Sequence, residues 1–129
     1  MMKCSDFTIL VAEDDLSTLK MYEKTLSAEG YNLILVDSWE RALAELAVKP
    51  ANLLVTDLKM GDVSDFEMFP ILVRNHPQLP VIVVSGVYVG LMEDFHKKGF
   101  GTVKAFFVKP LSMNVLKLKV REVLKIEDY

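Results

Sequence analysis

Five short, largely apolar runs punctuate this chain, and each is followed by a stretch in which apolar residues recur every three or four positions. Short apolar runs between turn residues read as buried strands and the longer period reads as amphipathic helix, so the alternation predicts five βα units. The first strand, Thr8 to Ala12, leads into a helix with Leu16, Leu19, Tyr22 and Leu26 on one face. Gly30 supplies its left-handed stop. The second strand, Asn32 to Val36, precedes a helix capped by Ser38, with Trp39, Ala42, Leu43, Leu46 and Ala47 facing inward and Lys49-Pro50 ending it. The third, Leu53 to Thr56, reaches Asp57 and a loop at Met60-Gly61-Asp62, after which Ser64 and Glu67 read as a capping box. With Ser64 as cap, Pro70 lies too deep for a first-turn position, which predicts either a kink near Phe66 to Pro70 or a later helix start. Pro77 and Pro80 bracket the entry to the fourth strand, Val81 to Val84. Gly86 and Gly90 then surround Val87-Tyr88-Val89, and the helix around Leu91 to Lys98, lacking a good N-cap, is expected to be the least stable. The fifth strand, Ala105 to Val108, is followed by a helix capped by Ser112, with Met113, Leu116, Val120, Val123 and Leu124 on one stripe.

Five βα units are too few for a closed barrel, which takes eight, and right-handed crossovers leave few other arrangements. The prediction is an α/β fold: a five-stranded parallel sheet in the flavodoxin-like order 2-1-3-4-5, doubly wound by helices. Ligands of such sheets bind beyond the carboxyl ends of the strands, and four strands here end in polar residues: Glu13-Asp14-Asp15, Asp57, Ser85 and Lys109. Because that order sets the first and third strands side by side, Glu13, Asp14 and Asp57 are expected to meet.

Composition narrows the setting. The 129 residues read as one domain, 1–129 with an ordered core of about 7–125, with no linker, internal repeat or output domain. An apolar share of 51% with 26% charged residues is that of a soluble globular protein. With no membrane-length apolar stretch and no secretory leader, a cytoplasmic location without a membrane partner is expected. The net charge of −3 gives no electrostatic case for direct nucleic-acid binding. Cys4 reads as a bystander thiol, His76 as a loop residue, His96 as a helix-surface residue, and the seven methionines as core filler.

Clustered carboxylates repel one another unless a cation is present, and Mg²⁺, which takes hard oxygen ligands and retains water, suits them. An ionised carboxylate is also a competent nucleophile toward phosphorus, and Asp57 is the best placed for that role. Phosphoryl transfer depends mainly on positioning and on neutralising charge on the phosphoryl oxygens. Mg²⁺ would take one oxygen, Lys109 another, and the Ser85 hydroxyl would donate to a third, with Gly86 leaving its backbone N–H approachable.

The runs Ile9-Leu10-Val11-Ala12-Glu13-Asp14-Asp15, Leu54-Val55-Thr56-Asp57-Leu58-Lys59-Met60, Val83-Val84-Ser85-Gly86 and Phe107-Val108-Lys109-Pro110 stand in one order at one spacing. In these the chain resembles the receiver domain of bacterial response regulators, over nearly its whole length. The resemblance implies a phosphoacceptor at Asp57, an acidic pair Glu13 and Asp14 holding Mg²⁺ with the Lys59 backbone carbonyl as a further ligand, and Ser85 and Lys109 reading the phosphoryl group. It implies a histidine kinase or phosphotransfer protein as donor, and a switch aromatic at Phe106, where the family commonly has tyrosine. Asp15 is expected beside the pair, near the helix start, where its charge is favourable. The chain departs from the family at Gly61, where proline is usual, at Ser64-Asp65 in place of Asp-Gly, and in about two extra residues between Ser85 and Lys109, placed near Gly99 and Gly101. In the family the positions of Lys59 and Val87 tune the phosphoryl lifetime.

Val87-Tyr88-Val89 and Phe106-Phe107 carry a further expectation, because an alternating strand exposes one of two neighbours. The face built from the fourth helix, fifth strand and fifth helix, with Tyr88 and Leu91, is expected to be the signalling surface toward an output domain or target protein, or a homodimer contact. Two rival readings are a pseudo-receiver, an interaction module that is never phosphorylated, and a phosphohydrolase with a transient aspartyl phosphate. The second lacks its general acid, since Lys59 stands two residues after Asp57.

Overall fold

Side chains along a strand point alternately to the two faces of a sheet, and here that alternation splits the core in two. The computed structural model describes residues 3–58, 60, 65–86 and 102–126. Five parallel strands, β1 (Thr8–Ala12), β2 (Asn32–Val36), β3 (Leu53–Thr56), β4 (Val81–Ser85) and β5 (Val103–Val108), lie in the order β2-β1-β3-β4-β5. Among the described residues the helices are α1 (Leu16–Ala28), α2 (Trp39–Val48), α3 (Asp65–Asn75) and α4 (Met113–Leu124), with a 3₁₀ turn at Cys4–Asp6. This α4 is the helix expected after the fifth strand. The helix expected around Leu91 to Lys98, with Val87, Tyr88, Val89 and His96, lies outside the described residues, as do Lys59, Gly61, Ser64, Gly99 and Gly101.

Leu10, Ala12, Leu54, Val81 and Val83 pack with Trp39, Ala42 and Leu46 of α2 and Leu72 of α3 on one face. Ile9, Val11, Leu53, Val55, Ile82 and Val84 pack with Tyr22 and Leu26 of α1 and Leu116 and Val120 of α4 on the other. Strands covered on both faces must be apolar at every position, which is why β1, β3 and β4 read as continuous runs.

The first three strands match the expected boundaries, while β4 extends one residue to include Ser85 and β5 begins two residues early, at Val103. Gly30 has φ +103°, the left-handed conformation expected of the stop, and its N–H reaches the Ser27 carbonyl at 3.0 Å. Ser38 caps α2 through a 3.2 Å hydrogen bond from the Arg41 N–H. Ser112 occupies the equivalent position before α4, but its side chain makes no cap hydrogen bond. The stripes are narrower than periodicity predicts: Leu16 is 63% exposed in the first turn of α1, and Ala47 is exposed at the end of α2. The methionines divide as well, with Met60 buried and Met21 exposed. No later start relieves Pro70, since α3 runs from Asp65 and contains it as its sixth residue, where it supplies no N–H to the helix. Nor is either ring of Phe106-Phe107 left exposed. Both are half-buried, Phe106 on the α2/α3 side and Phe107 on the α1/α4 side.

Candidate functional site

The site is assembled by hydrogen bonds that carry the parallel ladder one residue past the ends of the strands. The Glu13 N–H donates to the Val36 carbonyl at 3.0 Å, the Asp57 N–H to Ala12 at 3.1 Å, and the Lys109 N–H to Ser85 at 2.7 Å. Each functional residue is thereby clamped to the neighbouring strand before its side chain enters the cleft. Glu13, Asp14 and Asp57 each offer a carboxylate oxygen, and these oxygens lie within 4.8 Å of one another. The Lys109 Nζ lies 2.5 Å from Glu13 Oε1 and 2.9 Å from Asp57 Oδ2.

The remaining contacts orient these groups. Asp57 Oδ1 accepts from the Leu58 N–H at 2.7 Å, and Glu13 Oε2 from the Asp15 N–H at 3.2 Å. Asp15 is the N-cap of α1, its carboxylate accepting from the Thr18 N–H at 3.0 Å and from the Thr18 hydroxyl, so it belongs to the helix rather than to the cluster. Ser85 is buried at the last position of β4. Lys109 is joined to Pro110 by a cis peptide bond. Phe106 lies three residues before Lys109 on β5 and packs against the core cluster of α2 and α3.

Among the described residues, three carboxylates meet around the Lys109 ammonium, and burial and hydrogen bonding set their electrostatics. Burial pushes the Glu13 carboxyl above its ordinary value; the Lys109 and Asp15 hydrogen bonds oppose the shift, and the Asp57 charge adds to it. Burial also works against the Lys109 ammonium, but hydrogen bonds to Glu13 and Asp57, with their charges, outweigh it and raise Lys109 above the usual lysine value. Asp15 is held below the carboxylate range by its Thr18 hydrogen bonds. Two nearby residues had no functional signal in the sequence. Burial and then the Glu13 charge push the Tyr22 hydroxyl up to about 12, and the indole N–H of Trp39 donates to the Leu58 carbonyl, next to Asp57. Both read as core positions by periodicity. For Trp39, the need of a buried indole N–H for an acceptor was the available clue.

Comparison with known proteins follows from this geometry. The profile of the response regulator receiver domain matches residues 9–121. The chain belongs to that family. It is 25% identical over 117 residues to the transcriptional regulatory protein GlrR of Escherichia coli, covering 91% of this chain and 26% of that protein. It is 33% identical over 78 residues to the DNA-binding transcriptional regulator NtrC of Rhizobium meliloti, covering 60% of this chain and 16% of that protein. The receiver domain described here thus spans about a quarter or less of these curated relatives. A CheY-like response regulator receiver domain protein from Methanospirillum hungatei superposes with a TM-score of 0.83 at 24% identity, over 92% of this chain and 94% of that one, which shows the shared fold. The receiver domain is a signalling domain of two-component systems, and no helix among its described residues is long and apolar enough to cross a membrane.

Proposed function

We propose that this receiver domain accepts a phosphoryl group on Asp57 from a histidine kinase or a phosphotransfer protein and, once modified, changes its contacts with an output domain or target protein. The observation that carries this reading is the meeting of the Glu13, Asp14 and Asp57 carboxylates within 4.8 Å, with the Lys109 ammonium 2.9 Å from Asp57. Phosphoryl transfer needs an ionised oxygen nucleophile and fixed positive charge beside the oxygens that carry the developing charge. In the transfer, an Asp57 oxygen forms the new P–O bond while the P–N bond of a donor phosphohistidine breaks, and the departing imidazole keeps that electron pair. Lys109, already held beside Asp57, neutralises one phosphoryl oxygen. The Ser85 hydroxyl donates to another, and Phe106 on β5 is the aromatic that follows the change.

The donor set fits Mg²⁺: three hard carboxylate oxygens with two negative charges more than Lys109 balances. Glu13, Asp14 and Asp57 would hold the ion together with the backbone carbonyl of Lys59, and when bound it would supply a Lewis-acidic charge toward a phosphoryl oxygen. The domain is an acceptor that assists its own phosphorylation, not an enzyme with a released product. Its setting is the cytoplasm, with neither membrane nor nucleic acid contacted directly. The face that includes β5 and α4 is the surface for the target or for a second copy.

Intact-protein mass after incubation with acetyl phosphate tests this reading. The expected result is one Mg²⁺-dependent phosphoryl adduct on the natural chain and none on Asp57→Ala. A folded chain that binds Mg²⁺, takes no adduct and gives no spectral response to beryllofluoride, a stable phosphoryl mimic, would instead be the phosphorylation-independent interaction module.

A further inference from the structure

The chain contains one tryptophan, and its place is informative. Trp39 is the first residue of α2, directly after the Ser38 cap, and is 1% exposed. Its indole N–H donates across the core to the Leu58 carbonyl at 3.3 Å. Leu58 is itself buried, and its own N–H donates to Asp57 Oδ1 at 2.7 Å. The Asp57 N–H donates to the Ala12 carbonyl of β1, and Leu58 follows it past the end of β3. A buried carbonyl there must find a partner, and the Trp39 indole N–H is one.

We infer that Trp39 is a positioning residue for the phosphoacceptor turn. Its indole N–H holds the Leu58 carbonyl, and so helps to hold in place the residue whose own N–H, in the preceding peptide unit, meets the Asp57 carboxylate. The inference rests on the proposed reading of this cluster as a Mg²⁺ and phosphoacceptor site. Both polar groups of Leu58 are thereby committed, one to Asp57 and one to Trp39, so the turn following β3 is tied to the N-terminus of α2. Trp39 is anchored in turn by the capped start of α2 and by the cluster of Leu10, Ala12, Leu54 and Met60. Helix packing alone would require only a ring at this position. The N–H is what reaches the phosphoacceptor turn.

The test removes the N–H. Trp39→Phe is one variant, which keeps an aromatic ring but a smaller one. The other is biosynthetic replacement of tryptophan by β-(benzothienyl)alanine, which has sulfur in place of N–H and alters this residue alone. Mg²⁺ affinity is read by titration calorimetry, and labelling by acetyl phosphate is read against Mg²⁺ concentration. Both altered proteins are expected to bind Mg²⁺ roughly two- to tenfold more weakly, the effect of one hydrogen bond, with half-maximal labelling moved by the same factor and full labelling restored at saturating Mg²⁺. In the ¹⁵N-labelled natural protein the single indole N–H resonance is expected to shift in step with Mg²⁺ saturation. Unchanged Mg²⁺ affinity in a benzothienyl protein with the natural unfolding midpoint, or an indole resonance that stays in place while Mg²⁺ binds, overturns the positioning role and leaves the phosphoacceptor reading standing. If the natural chain neither binds Mg²⁺ nor takes a phosphoryl group, both fall together.

Discussion

Lys109 holds two carboxylates with one charge, and its loss has separable consequences for chemistry and stability. Lys109→Met is expected to slow labelling by acetyl phosphate about a hundredfold, the usual scale for losing a preorganised charge-stabilising group. It also leaves the buried Glu13 facing Asp57 without a counter-charge. The cost at pH 7 is expected to be about 1–3 kcal/mol, below that of breaking a fully buried pair because Lys109 keeps 27% of its side-chain surface in water. The pH trend has a definite sign. In the natural chain Lys109 titrates above its ordinary value of 10.5, so its contribution is fully present below that pH and is lost only as the pH rises through the raised value. Glu13 titrates above its ordinary 4.5, so the folded state binds its proton more readily than the unfolded one, and the burial penalty fades as the pH falls toward 4.5. The deficit of Lys109→Met in urea unfolding is therefore expected to shrink between pH 7 and pH 5; a deficit constant over that range would show that the carboxylates are not its cause. At this scale the site's charged residues were legible because each stands one or two positions past an apolar run. The link from Trp39 to Leu58 was not, since an indole's choice of acceptor depends on residues 19 positions away.

Two serines precede helices in equivalent positions and behave differently. The Ser38 oxygen accepts from the Arg41 N–H, whereas Ser112 makes no such bond. Ser38→Ala is expected to cost about 1 kcal/mol, in line with the loss of a working cap, and Ser112→Ala less than about 0.5 kcal/mol, both read from the urea midpoint at unchanged slope. Equal costs would mean that cap geometry does not govern the two helix starts. Sequence marks both positions as caps because residue type is local information, while the rotamer that closes a cap is set by the packing around it. The same division appears in β5. Val81 pairs with Val103, but Ile82 pairs with Ala105, so one extra residue, Lys104, enters the strand. That shift places Val103 and Ala105 on opposite faces although they are two positions apart, and it sets the phase in which Phe106 packs toward α2 and α3. The apolar run beginning at Ala105 was readable, but the shift, which depends on the partner strand, was not.

For the molecule as a whole, three carboxylates brought within 4.8 Å of one another are a cost that a bound cation relieves. Mg²⁺ is expected to raise the free energy of unfolding by about 2.7 kcal/mol at a hundredfold excess over its dissociation constant, and most of that gain is expected to vanish in Asp14→Asn. Thermal unfolding with and without Mg²⁺ measures both, and an equal gain in the variant would place the ion elsewhere. The strand order carries the logic: β1 and β3 are neighbours, so residues more than forty positions apart in the chain share one cleft. The alternation of apolar runs and amphipathic stretches was sufficient to specify five parallel strands, their order and the polar residues at the strand ends, because a parallel sheet covered on both faces imposes a local pattern that every strand must obey. Folding in three dimensions settled what is not local: which apolar helix residues are covered, with Leu16 and Ala47 left in solvent, the phase of β5, and the sharing of Lys109 between Glu13 and Asp57. Such contacts join residues distant in sequence, and their energies depend on burial and mutual orientation, quantities that no single stretch of chain encodes.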